Sequence, residues 1–374
     1  MQIPPIILSR NQAGLDVVDG RVFFLFLLFY GVFLIFIAYF GENILPSKYL
    51  YDSYNISTFM PQATNIIPKD SYNNTAYLYN LINVRLEDRW YRAFAATLYI
   101  LFVWVAIFVG RPQYFTRSAS LITFAAMTAG MVYLAQLSKE FWVFLLMVLF
   151  FFCSVNRWLL ALWTLVALLY AYNFRGYWYL IIYMFIWLEL MGHRARTPFQ
   201  MILLIVAGLL VITIAHEIFN GGSILKHREG VNAFREGSAD AQTLIKTTIP
   251  IKNPIADWLN CCIVWFQMLI PYRLIMAGAI QHIISAIIMF TLFRMMFIGH
   301  ASFQRQAIQD FRLYHCFTIF MAFTSVQSVF EPDYGSMLKH MVPLIPLALA
   351  FATGLYRSDH TLLEDTTREY IRRT

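Results

Sequence analysis

Apolar residues dominate this chain in long blocks that short polar interruptions separate. Blocks close to the roughly 20 residues that cross a hydrocarbon core lie at 22–40, 93–110, 118–137, 141–155, 158–173, 177–191, 199–219, 274–298, 313–330 and 341–356, each ended by charge, Gly or Pro. The pattern predicts an all-α, polytopic membrane protein with about ten transmembrane helices. The first block is long and no small-residue cleavage site follows it, so it reads as a span and not as a signal peptide. The stretch 255–272 differs: it is apolar but carries Asp257 and Gln267 and ends at Pro271. That predicts a re-entrant or interfacial helix, because non-spanning backbone is tolerated at membrane depth where protein surrounds it. Two connections, 41–92 and 220–255, are long enough to fold over a site. No repeat or linker divides the chain, so 1–374 reads as a single membrane domain with those two segments as outward loops.

The interruptions carry the chemistry. Ser138-Lys139-Glu140-Phe141, Phe174-Arg175-Gly176, Pro271-Tyr272-Arg273 and Glu331-Pro332-Asp333-Tyr334 with Lys339-His340 all fall on one membrane face when the spans are counted. An even number of spans puts both termini on the other face. Lys and Arg divide 14 to 14 between the two faces, but ten of those on the motif face lie in the long segments 41–92 and 220–255, leaving only Lys139, Arg175, Arg273 and Lys339 in short connections, so the termini read as cytoplasmic. Arg85, Arg89 and Arg92, close to a span end, argue the other way.

Composition narrows the class. Hydrophobic residues make up 59% and charged residues 13% of the 374, far from the roughly one-quarter charge of soluble domains. The net charge of +7 is spread over loops with no basic run, which excludes a nucleic-acid binder. Cys153, Cys261, Cys262 and Cys316 lie in apolar segments without metal-ligand spacing and read as small hydrophobes. No phosphate-binding Gly-rich loop and no nucleophile elbow is present, so energy must come from an activated substrate or a gradient. Asn55-Ile56-Ser57 and Asn73-Asn74-Thr75 fit the glycosylation pattern, but nothing else in the chain calls for it.

Ionisable groups at a membrane edge usually face a cavity or a partner, because lipid exposure costs each about 2.5–3.5 kcal/mol at the helix centre. Lys139, Arg175, Arg228, Arg235, Arg273, Lys339 and His340 form a candidate cationic surface suited to a pyrophosphate, which needs neutralising as its bond breaks. Snorkelling to the headgroups is the alternative for Lys139 and Lys339. Glu140, Glu217, Glu229, Glu236, Asp257, Glu331 and Asp333 supply acids on the same face, and a general base for a sugar hydroxyl must come from such a group or a His. Glu140, Glu331 and Asp333 serve equally well as helix-start acids. His282 and His315 read as satisfied core histidines.

The order of these motifs resembles the Wzy-type polysaccharide polymerases, including the EpsG-like branch. The likeness rests on the Ser-Lys-Glu turn at 138–140, Phe174-Arg175-Gly176-Tyr177, the middle outward loop with Arg228 and Arg235, and Pro-Asp-Tyr-Gly at 332–335 followed by Lys339-His340, Pro343 and Pro346. The resemblance implies a fold like that of the membrane-embedded GT-C glycosyltransferases, in a bacterial inner membrane. It implies an undecaprenyl-diphosphate-linked glycan as donor and a second lipid-linked repeat unit as acceptor, joined into O-antigen, capsule or exopolysaccharide. Glu140, Arg175 and Arg273 would be catalytic, with Arg175, Arg273 and Arg228 on the diphosphate and Glu140 on the attacking hydroxyl. Lys139, Arg228, Arg235, Glu331, Asp333, Lys339 and His340 would bind substrate, with no metal or cofactor and with a chain-length regulator protein as a partner. An O-antigen ligase, a lipid-phosphate-dependent single-sugar transferase and a flippase are the competing readings. Inverted repeats and charges deep within several spans, expected of a transporter, do not stand out.

Overall fold

A computed structural model describes residues 9–10, 16–110, 114–236, 243–251, 253–305 and 310–354. Arg111, residues 237–242 and 252 of the second outward segment, the end of the 341–356 block and both termini lie outside the described residues.

The described chain is almost all helical. In order it forms α1 (Gly20–Tyr39), α2 (Gly41–Ile44), α3 (Ser47–Phe59), α4 (Ser71–Leu81), α5 (Arg89–Gly110), α6 (Arg117–Tyr133), α7 (Lys139–Cys153), α8 (Arg157–Asn173), α9 (Trp178–Met191), α10 (Pro198–Asn220), α11 (Lys226–Arg235), α12 (Pro254–Leu269), α13 (Tyr272–Met276), α14 (Ile280–Phe303), α15 (Phe311–Phe330) and α16 (Tyr334–Met341). A 3-10 turn at Val342–Leu344 joins α16 to a last helix, α17, over 345–354. One feature departs from an all-α reading. Strands β1 (Ser9–Arg10), β2 (Asp16–Asp19) and β3 (Tyr114–Thr116) pair antiparallel in that order, with Val18 opposite Phe115.

Polar interruptions become helix starts because their side chains satisfy backbone N–H groups that a helix leaves open. Thr116, Ser138, Asn156, Asn253 and Asp333 accept from Ala119, Phe141, Trp158, Ala256 and Ser336, and Thr197 closes a full capping box with Gln200. Gly278, at φ 75°, separates α13 from α14, so that apolar block runs as a helix from Ile280 to Phe303 instead of from 274 to 298.

Among the described residues, six helices are long and apolar enough to cross a membrane: α1, α5, α10, α14, α15 and the Tyr334–Gly354 stretch. The four helices α6 to α9 are apolar but have 14 to 17 residues, which at about 1.5 Å per residue is shorter than the ~30 Å core. Phe29, Phe36, Trp158, Leu169 and Ile218 are exposed at 61% or more. So much large apolar surface in water would be untenable, whereas lipid covers it without cost. The chain is an almost all-helical integral membrane protein.

Helix α15 forms the centre, buried on nearly every side. It packs antiparallel on α9: Tyr177 stacks on Phe330 at 3.9 Å at one end, and His315 lies 2.9 Å from Glu189 at the other. That pairing satisfies His315, as expected. The 41–92 segment is folded and not an open loop. Its α3 and α4 pack together, Asn73 donates to the Asn65 carbonyl and Asn74 to the carbonyls of Ile67 and Asn173, so the second glycosylation pattern is part of the interior. Arg92 is buried against Glu42 and the Leu86 carbonyl, which explains its position at a span end without reference to topology.

Candidate active site

The end of the bundle that holds Phe330 and Tyr177 also holds a buried ionisable network. Helix α7 is set in place there by its cap Ser138 and by Tyr79 of α4. The Tyr79 hydroxyl accepts the Ser138 N–H at 3.0 Å and lies 3.0 Å from the Ser138 carbonyl and 2.9 Å from the Tyr91 hydroxyl. This grip fixes the first turn of α7, where Glu140 is fully buried. A carboxylate there is favoured by the helix dipole, but its partners come from two other segments, the turn before α9 and helix α16. Glu140 Oε1 accepts from Arg175 Nη2 at 2.7 Å and lies 3.1 Å from His340 Nε2, and Lys339 Nζ is 3.6 Å from Oε2.

His340 reaches a second carboxylate, with Nδ1 2.5 Å from Glu331 Oε1. Both contacts are hydrogen bonds only when both ring nitrogens carry hydrogen or one carboxyl donates, so the Glu140, His340 and Glu331 triad has one mobile proton to distribute. Gln327 supports Glu331 at 3.3 Å while donating to the Met337 carbonyl. Oε2 of Glu140 and of Glu331 are both buried without a hydrogen bond. Each is an acceptor left open for a further proton or donor.

Asp52 of α3 closes the network from the first outward segment. It pairs with Lys339 and accepts from Tyr72 at 3.1 Å, while Lys139 Nζ sits 3.7 Å over the Tyr72 ring. Burial raises the Asp52 carboxyl, but the Lys339 and Lys139 ammonium groups outweigh it and hold it below its ordinary value. Burial and the Asp52 charge push the Tyr72 phenol up to about 12.

Of the residues singled out in the sequence, Glu140, Arg175, Glu331, Lys339 and His340 come together, with Lys139 at the edge. The cations do not form an open positive surface: Arg175 holds Glu140 and the Tyr177 hydroxyl, Lys339 holds Asp52, and Arg235 holds Asp333. Asp333 caps α16 and Leu244 pairs with it as an isolated β-bridge, so its side chain is structurally committed. Lys139 and Arg273 form no ion pair with a described residue, and Arg273 lies apart from the triad, near Tyr334. Arg228 is fully buried on α11 and donates to the Ser328 carbonyl at 2.7 Å.

Sequence reasoning missed Asp52 and Gln327. Asp52 had one signal, as the sole acid among Tyr49, Tyr51 and Tyr54. Gln327 had none, because a Gln in an apolar span is legible only once its neighbours are known.

No family model, curated protein or solved structure matches the chain. The fold and site define an integral membrane protein with a buried carboxylate and histidine network at one end of its helical bundle.

Proposed function

We propose that this protein is a membrane glycosyltransferase that polymerises lipid-diphosphate-linked oligosaccharide repeat units, with ten membrane crossings, a GT-C-like arrangement and the triad on the outer face. One observation carries this reading: motifs scattered from residue 138 to residue 340 meet in one buried network that contains an unsatisfied carboxylate oxygen beside a histidine. Helix stability does not need three ionisable groups buried together, and each costs desolvation.

In the reaction, a hydroxyl of the acceptor sugar attacks the anomeric carbon of the donor. Its proton passes to Glu140 Oε2 and can move on through His340 toward Glu331. The bond from the anomeric carbon to the phosphate oxygen breaks, and the lipid diphosphate leaves with the electron pair. Lys139 and Arg273, which form no ion pair with a described residue, neutralise it, and the Arg175 donors not used on Glu140 and Tyr177 add to them. The α12 segment fits a re-entrant element beside this site: Asp257 in its first turn accepts from Ile224, and α13 beyond its end brings Arg273 near Tyr334. A single-sugar transferase or ligase would use the same chemistry with another acceptor.

The test is complementation of a polymerase-null strain of the source organism with wild type, Glu140→Gln, Arg175→Ala and Arg273→Ala, at matched protein levels, reading surface glycan on a gel. The expected result is a ladder from wild type that collapses to single repeats in the variants. No ladder from wild type refutes polymerisation, and full ladders from Glu140→Gln refute its role as base.

A further inference from the structure

Beside the triad lies a second concentration of buried polar atoms that the proposed mechanism leaves unused. Arg228 is fully buried, yet its Nε and Nη2 have no hydrogen-bond partner among the described residues. Asp257, 2% exposed, accepts from the Ile224 N–H through Oδ2 and leaves Oδ1 unpartnered. Glu229 Oε1 and Asn232 Oδ1, on the same helix as Arg228, are also buried without a bond. Both carboxylates interact electrostatically with the Arg228 guanidinium. Native interiors pair such groups almost without exception, so donors and acceptors left open together point to a missing partner.

The balance of charge identifies the partner's chemistry. One guanidinium against two carboxylates is negative by one unit, which repels a diphosphate. Open donors and open acceptors side by side suit a group that both donates and accepts, which is what a sugar hydroxyl does. We propose that Arg228, Glu229 and Asp257 form a carbohydrate subsite that reads hydroxyls of the glycan, and not the phosphate clamp that the resemblance assigns to Arg228. This rests on the glycosyltransferase reading above and narrows it. Access requires α11 to lift. Three attachments hold it at this end of the bundle: Arg228 to the Ser328 carbonyl, Asn232 to the Ile245 carbonyl at 3.0 Å, and Arg235 to Asp333. Ser328 lies in the last turn of α15, three residues before Glu331, which follows that helix, so a sugar held here sits next to the triad.

The test uses the purified full chain in nanodiscs and two probes: undecaprenyl diphosphate without sugar, and the free oligosaccharide released from the source organism's lipid-linked intermediate by mild acid. Asp257→Asn and Glu229→Gln keep shape, and a thermal melt confirms that each is folded. The inference predicts that both variants weaken oligosaccharide binding by at least tenfold and leave undecaprenyl diphosphate binding within twofold. Tighter diphosphate binding with unchanged sugar binding would make Arg228 a phosphate ligand and overturn it. No change with either probe in folded variants overturns it too, leaving a site for water only. Wild type that binds diphosphate but no sugar sinks this inference alone, whereas wild type that binds neither probe sinks the glycosyltransferase reading.

Discussion

The Glu140 and Arg175 pair allows a quantitative test of whether the network acts as a unit. Both side chains are buried, at 0% and 7% exposure, and 2.7 Å separates the charged atoms. Unit charges 4 Å apart attract by about 4 kcal/mol at an effective dielectric of ~20, and desolvation of the two ions opposes this by several kcal/mol. The net contribution of the intact pair is therefore small, while removal of one partner strands the other at a cost of about 3–5 kcal/mol. Arg175→Met leaves Glu140 with His340 and Lys339, which puts its cost near the lower end, about 3 kcal/mol. Glu140→Gln leaves three cationic or protonated groups around a neutral amide, which puts it near about 4 kcal/mol. The double variant removes both charges and should cost about 4 kcal/mol instead of the additive ~7, a coupling of about 3 kcal/mol. The assay is denaturant unfolding in detergent followed by tryptophan fluorescence. Additivity within about 0.5 kcal/mol would mean that the two groups do not depend on each other, and would refute the network.

Three further outcomes follow from particular contacts. Tyr79→Phe removes the hydroxyl that engages Ser138 and Tyr91, and should lower stability by about 1–3 kcal/mol by exposing a buried N–H to no partner, read as a drop in the detergent melting temperature. Gly130→Ala would put a Cβ 2.1 Å from the Tyr99 ring, whose hydroxyl donates to the Val342 carbonyl, so overpacking should cost about 1–3 kcal/mol, and unchanged melting would contradict the helix contact. The lowered Asp52 carboxyl stabilises the folded state fully above its unfolded value of 3.8, and loses that contribution as pH falls through the lower folded value. Protease protection of 47–59 should accordingly be flat from pH 8 to about 5 and fall below about 4, and Asp52→Asn should abolish that dependence.

Much of the helical scaffold is legible in the chain, and the reason is local. Apolar blocks declare helices because lipid and the interior both reject unpaired backbone, and Ser138, Asn156 and Thr197 declare starts because their side chains answer backbone groups within three residues. The site is only half legible. That Glu140, Arg175, Lys339 and His340 share one face follows from counting spans, since burial cost drives charge to span ends or to partners. The count does not say that Arg273 stands apart, that Asp333 is taken up by a cap and Arg235, or that the glutamate at 331 faces the histidine.

The sequence by itself therefore determined the class of protein, the helical blocks with their caps, and the end of the bundle at which charge collects. Only the tertiary structure decided the pairings. Lys339 meets Asp52 across 287 positions of sequence, and His340 lies between Glu140 of α7 and Glu331 just past the end of α15. Such partners are set by the rotation and depth of packed helices, which leave no periodicity in the chain between them.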